Sequence, residues 1–382
     1  MKKHLSIPLL LLGLLSQAQT GLYNAGNLQV HEGGQMGIHT NLINDGAFDQ
    51  NTGLVGFYGS SAITISGAFM SVFYDTEVAN DRGVTLRTSV SVVNNANFVV
   101  GNVITPRDQS ATYFNFLKDA FDVGASDASY VEGYVAVTEQ KNFTFPVGDD
   151  GQLRQLILNS TAVNPIAKCA YFFDNPSHPI PFPENFNTHT KVRDIGSVSE
   201  TEFWRLEGSA TATVTLSWNE RSNLAALTDD VKSIIVVGWS KTGKQWVQLG
   251  RAAMGGDLSQ GFVTSDNFVP DRYEAITFGT MDTPDELLTL DNYLVTPNGD
   301  GINDVLVIPQ MTQSPNNSIR IYDRNGLKVF EMANYTDQFG GIANTGDLVI
   351  NRSAGLPAGV YFYLVSLDDL GLKFQGFLYL ER

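Results

Sequence analysis

The chain carries one cysteine, Cys169, in 382 residues. No intramolecular disulfide can form, so stability must come from core burial, stacked repeats or bound ions. Cations are scarce as well. Lys and Arg number 24 against 40 Asp and Glu, a net charge of −16. Counterion release, which drives nucleic-acid binding, needs clustered Lys and Arg, so this acidic chain is a poor nucleic-acid binder. Long apolar runs are absent after the first eighteen residues, and no later stretch is expected to cross a bilayer as a helix. Sustained helical periodicity is absent too.

Catalytic signatures are also missing. There is no Gly-x-Ser-x-Gly elbow and no His-Glu-x-x-His pair. The stretch "FPVGDDGQLR" (145–154) reads as a hairpin turn, because neither a helix nor a Lys-Ser/Thr pair follows it as a phosphate loop requires. Asp174, His178, Glu184 and His189 gather near Cys169, but their spacings match no ligand pattern, and Pro176, Pro179, Pro181 and Pro183 account for a rigid loop. The reading is a protein without catalysis and without a cofactor.

What is present is abundant Gly (36), Phe (23) and Tyr (14) beside only 17% charged residues, a composition of strands and turns. The expected class is all-β. Residues 1–18 carry Lys2, Lys3, an eleven-residue apolar stretch and Ser16-Gln17-Ala18, which together read as a secretory signal peptide. From 19 to 129, short runs such as "GLVGFYG" and "AITISGAF" end on Asn or Gly turns, suggesting a β-helix-like solenoid or an irregular β region. The tract 108–129 breaks this pattern and reads as an edge cover or a link. Residues 130–280 read as a β-sandwich with a Pro-rich loop at 174–190. Trp204, Trp218, Trp239 and Trp246 fall in or beside its strands and are expected in the core. Cys169 is expected there as a buried thiol. An acidic linker, 281–294, precedes the last unit, 295–382.

That unit opens with "VTPNGDGIND" (295–304). Against a twelve-residue calcium loop, Thr296 stands at the first position and Val307 at the twelfth, so two main ligands are missing. Asn298, Asp300, Asn303 and Asp304 could still hold Ca2+ in a looser oxygen site. The plainer reading is a pair of tight turns in which Asn and Asp bond their own backbone and Gly supplies positive φ.

From this run onward, "TPNGDGINDVLVI" (296–308), "PNNSIRIYDRNGLKVFE" (315–331), "NYTDQFGG" (334–341), "LPAGVYFYLV" (356–365) and "KFQGFLYLER" (373–382) follow in order. Together they resemble the gliding-motility-associated C-terminal domain, the type B sorting domain of type IX secretion in Bacteroidota. Two positions depart from it: Asn325 replaces the usual aromatic of "RWG", and Phe339-Gly340-Gly341 stands where "WDG" or "WNG" is common. The resemblance implies a small Ig-like β-sandwich, recognition by the type IX outer-membrane translocon, a PorP/SprF-like outer-membrane barrel as partner, and display at the surface or release. It implies nothing about residues 19–280. A chain-terminal strand is expected at a sheet edge, with Phe377 and Tyr379 on one face and Leu378 and Leu380 on the other, as a docking element. For the body, the first reading is a structural or adhesive surface protein of the gliding or cell-envelope apparatus. The second is a secreted carbohydrate-binding module that stacks sugar on Trp or Tyr of exposed strands, and the third is a secreted hydrolase, for which no acid pair at defined strand ends is discernible.

Overall fold

Short β-forming runs that each end on a tight turn cannot bury both faces alone, so they stack on their own successive passes. In the computed structural model, which describes residues 21–281, 292–345, 355–369 and 372–382, the chain alternates between two parallel sheets. One sheet takes Gly21–Asn24, Asn41–Asn44, Ile63–Ser66, Val84–Leu86, Val103–Ile104 and Val131–Glu132. The other takes Gln35–Ile38, Leu54–Gly59, Ser71–Asn80, Val90–Val100, Phe114–Phe116 and Val135–Phe145. Each pass lies beside the one before: Gly21 pairs with Asn41, Ile63 with Val84, and Val84 with Val103. This is the β-solenoid expected from the turns. The signal peptide (1–18) and most of the linker (281–294) lie outside the described residues.

Period-2 alternation sends Leu42, Val55, Phe57, Ile65, Phe73, Val92 and Phe116 inward, where all are buried. Phe48, Phe57 and Phe73 pack with ring centroids 5.4 to 5.7 Å apart. Buried asparagines satisfy the turns between passes. Asn24 Nδ2 donates to Asn44 Oδ1 at 2.7 Å, and Asn44 Nδ2 donates to the Phe69 carbonyl. At Gly101 (φ 80°) a Cβ would sit 1.7 Å from the Asn80 carbonyl oxygen of the preceding pass, so the turn admits only glycine.

The tract 108–129 differs from its expected role. It supplies the rung Phe114–Phe116, which pairs in parallel with Val90–Val92 and with Val135–Val137. Phe121–Val123 then pairs with Asn95–Asn97. Alternation too short to stand out in the sequence is enough for a rung when neighbours on both sides are already in place.

Nor does the sheet break at 129/130. Val135–Phe145 is parallel to its solenoid neighbour and antiparallel to the seventeen-residue strand Leu156–Phe172. That long strand pairs with Ala212–Trp218 through its first half and Phe203–Gly208 through its second. Tyr273–Met281, Ile234–Ser240 and Trp246–Gly250 continue the sheet. Strand Phe203–Gly208 is buried on both faces, with Trp204 and Leu206 in the main core and Phe203 in a second cluster. The Pro-rich loop closes that second face. Phe182 and Phe186 are buried against Phe172 and Phe203, so the loop contributes a core layer as well as surface.

The chain divides into two units, Met1–Met281 and Asp282–Arg382. In the second, the described strands form a five-stranded sheet in the order Tyr293–Val295, Leu372–Leu380, Gly359–Leu367, Asn317–Tyr322, Lys328–Ala333. All pairs are antiparallel except the first. Its inner face carries Ile319, Ile321, Tyr361, Tyr363, Val365, Leu378 and Leu380, and Leu306, Ile308, Phe339 and Leu356 from irregular segments join the same core.

Candidate functional site

The terminal strand is not at an edge. Leu372–Leu380 lies between Gly359–Leu367 and Tyr293–Val295, whose parallel pairing joins Tyr293 to Leu378 and Val295 to Leu380. The edge expected from its terminal position fails because a segment some eighty residues earlier in the chain returns beside it. Its two faces are as expected. Leu378 and Leu380 are fully buried, whereas Phe377 and Tyr379 are 40% and 45% exposed. Register extends that outer face across the sheet: Tyr379 stands between Leu294 and Val360, and Phe377 lies beside Phe362. With Leu364 these exposed side chains form a contiguous apolar surface. Beyond it, Arg320 and Lys328 both pair with Glu331.

At the other edge strand of the described sheet, Asn344 Oδ1 accepts the Glu331 N–H at 2.9 Å and Asn344 Nδ2 donates to the Glu331 carbonyl at 2.7 Å, so a carboxamide satisfies edge backbone groups. Asn317 is a second device that the sequence did not reveal. It is buried, donates to the Met311 and Ser314 carbonyls, and accepts the Tyr335 N–H. Tyr335 in turn donates its hydroxyl to the Leu306 carbonyl, and burial holds its pKa above the ordinary phenol range.

The opening run closes on itself. Asp304 accepts the Gly299 N–H at 2.7 Å and the Gly301 N–H at 2.8 Å, one on each carboxylate oxygen. Those two bonds, Gly299 first, hold its pKa below the usual carboxylate value. Asn298 Oδ1 accepts the Asp300 N–H, Asp300 Oδ1 accepts the Ile302 N–H, and Asn298 Nδ2 donates to Asp300 Oδ2. Asn303 adopts φ 54°, and its carbonyl accepts the Thr296 N–H. These are the Asx turns of the plainer reading. Asn325 sits in the exposed turn after Asp323, whose carboxylate accepts its N–H, while Phe339 is fully buried.

In the body, Cys169 is buried and burial pushes its thiol pKa well up, away from nucleophilic use. Asp174 caps the loop by accepting the Asn175 and Ile180 N–H groups. Among the described residues no three His, Cys, Asp or Glu side chains come together as a metal cluster. All four tryptophans are buried, and Trp204, Trp218 and Trp246 donate their indole N–H to backbone carbonyls. None offers a ring face to a sugar.

Residues 288–380 match the family model of the CHU_C type IX secretion signal domain. The terminal unit is a type IX secretion signal domain. No curated protein and no solved structure matches the chain. A type IX signal domain implies export out of the cell by that system, with the product attached to the surface or released. No described helix is long and apolar enough to cross a membrane. The blocks read from 296 onward fall within the matched span almost throughout, and the buried Leu378 and exposed Phe377 and Tyr379 belong to its last strand.

Proposed function

We propose that this chain is a non-catalytic surface protein of the cell envelope, structural or adhesive, serving the gliding apparatus or the envelope around it. The type IX outer-membrane translocon recognises its folded signal domain, and a PorP/SprF-like barrel associates with it at the surface. The match of residues 288–380 to the secretion signal domain carries the reading. Within that domain, Phe377 and Tyr379 on the outer face meet the machinery, while Leu378 and Leu380 act through the fold. The body supports a structural or adhesive role by its repetitive solenoid and by the dispersal of its Cys, His and acidic side chains.

The test is fractionation of cells producing the chain without residues 290–382. The truncated body is expected in the periplasm, and its appearance at the cell surface overturns the assignment. Loss of a measured hydrolytic activity in a folded Cys169→Ala or His178→Ala variant would overturn the non-catalytic reading.

A further inference from the structure

Strand Leu54–Gly59 buries Phe57 in the solenoid core and sends Tyr58 to the outer face of the sheet. There the ring folds back over backbone. A Cβ at Gly56 would lie 2.2 Å from both Tyr58 Cζ and Oη, and a Cβ at Gly37 would lie 3.2 Å from Tyr58 Cδ2. Gly37 and Gly56 are register partners on adjacent strands, so the missing side chains make a flat seat for one ring. Glycine weakens strands, so two in one row of a sheet otherwise rich in β-formers ask for a reason.

The same row continues as Glu77, paired with Gly56, and Asn97, paired with Glu77. Neighbouring strands stand about 4.8 Å apart, so ring, carboxylate and carboxamide follow one another across the sheet. Asn97 Nδ2 donates to Glu77 Oε2 at 2.6 Å, and burial together with the nearby Glu77 carboxylate raises the pKa of the Tyr58 hydroxyl. A carboxylate has about four acceptor positions, so Glu77 keeps capacity for a ligand. His39 borders the other side of the ring, exposed, at 5.7 Å between centroids and tilted by 38°. Two residues along the strand from Glu77, Asp75 Oδ1 accepts Asn94 Nδ2 at 2.7 Å, which adds a second fixed acid–amide pair.

We propose that this strip of the solenoid is a binding subsite for a neutral saccharide. An aromatic face held flat matches the C–H face of a sugar ring, and the Glu77–Asn97 and Asp75–Asn94 pairs offer fixed acceptors and donors for hydroxyls. The carboxylates repel anionic ligands. The inference rests on the body alone and is independent of how the chain is exported.

The competing account is that the ring merely covers the two glycines, as aromatic side chains do in other sheets. A neutral-glycan array probed with the mature full-length chain, followed by calorimetry with the best-binding glycan, separates the two. At least one neutral glycan is expected to bind. Tyr58→Ala is expected to weaken it about tenfold, the scale of one lost aromatic contact, while Tyr58→Phe keeps most of the affinity. Should Tyr58→Ala fail to fold by circular dichroism, the Glu77→Ala/Asn97→Ala double variant carries the test, with weakened binding expected. An array without any neutral-glycan binding overturns the proposal. So does a folded Tyr58→Ala or double variant with unchanged affinity, and so does binding confined to quaternary ammonium probes.

Discussion

Arg154 and Glu202 face each other inside the body, with Arg154 Nη2 2.9 Å from both carboxylate oxygens and side chains only 3% and 1% exposed. Tyr171 donates its hydroxyl to Glu202 at 2.6 Å, and Arg154 donates to Ser222 Oγ at 2.7 Å. Burial, and then Glu202, drive the Tyr171 pKa far above the phenol range, so it stays a donor at any working pH. The network ties the hairpin region at 154 to the strand entry at 202 and to the short 310 turn Glu220–Ser222.

Removing one charge strands the other. Glu202→Leu is expected to cost about 3–5 kcal/mol, whereas Arg154→Met with Glu202→Leu recovers much of that loss because no lone buried charge remains. Urea unfolding followed by tryptophan fluorescence measures it cleanly, since all four tryptophans lie in the body. A double variant as unstable as the single one would show that the hydrogen bonds to Tyr171 and Ser222 dominate.

Asp122 supplies a pH signature. Burial raises its pKa from 3.8 to about 6, partly offset by a backbone hydrogen bond. A carboxyl with a higher pKa folded than unfolded binds protons more tightly in the fold. Its charged form therefore opposes folding at pH 7, and stability is regained as pH falls through about 6 towards 3.8. Asp122→Asn is expected to stabilise the body at pH 7 by on the order of 1–2 kcal/mol, discounted for partial exposure, and to lose that advantage well below the unfolded pKa of 3.8. Equal stabilities at both ends of that range would place Asp122 in a wetter site.

The same residues show what the sequence could and could not reveal. Alternation and Asn/Gly turns announced stacked strands, and the "DDG" turn duly joins Gly148–Asp149 to Gln152–Leu153. The period stayed hidden because the passes differ in length: Gly21 meets Asn41, but Val103 meets Val131. Phe114 and Phe116 looked like part of an interruption, since a three-residue rung has no periodicity of its own. The tryptophans were legible as core from their strands. Tyr58 was not legible as a platform, because only register puts Gly37 beside Gly56. Arg154 and Glu202 stand 48 residues apart, and nothing local marks either as a partner. The terminal strand's faces followed from alternation, but its neighbour at Tyr293–Val295 is a tertiary fact.

The 298–304 loop makes a further prediction. Asp304 already holds two backbone N–H groups, one on each oxygen, so the turn has closing bonds of its own. Asp304→Ala is expected to lower the melting temperature of the signal domain, and EGTA to leave the parent unchanged. Because the Asp304 pKa is depressed, its contribution is present above the unfolded carboxyl pKa and fades as pH falls through the folded value. A melting temperature that rises with added Ca2+ would instead assign Asn298, Asp300, Asn303 and Asp304 to a cation.

The last strand separates folding from recognition. Leu378 is fully buried, so Leu378→Ala is expected to cost the signal domain about 2–5 kcal/mol and to abolish display through unfolding. Deleting 376–382 removes part of a strand paired on both sides and should act the same way, with the body still folded. Phe377→Ser with Tyr379→Ser changes only the outer face. These positions make no inward contact with the Ile319–Val365 core, so thermal melting should stay near that of the parent. Surface display, read by protease accessibility on intact cells, is nevertheless expected to fall several-fold, because a contiguous exposed apolar face is where a partner gains most from burial. Parent-level display of this folded double variant would move recognition off the outer face, leaving the loop at Asn298–Asp304 as the next surface to substitute.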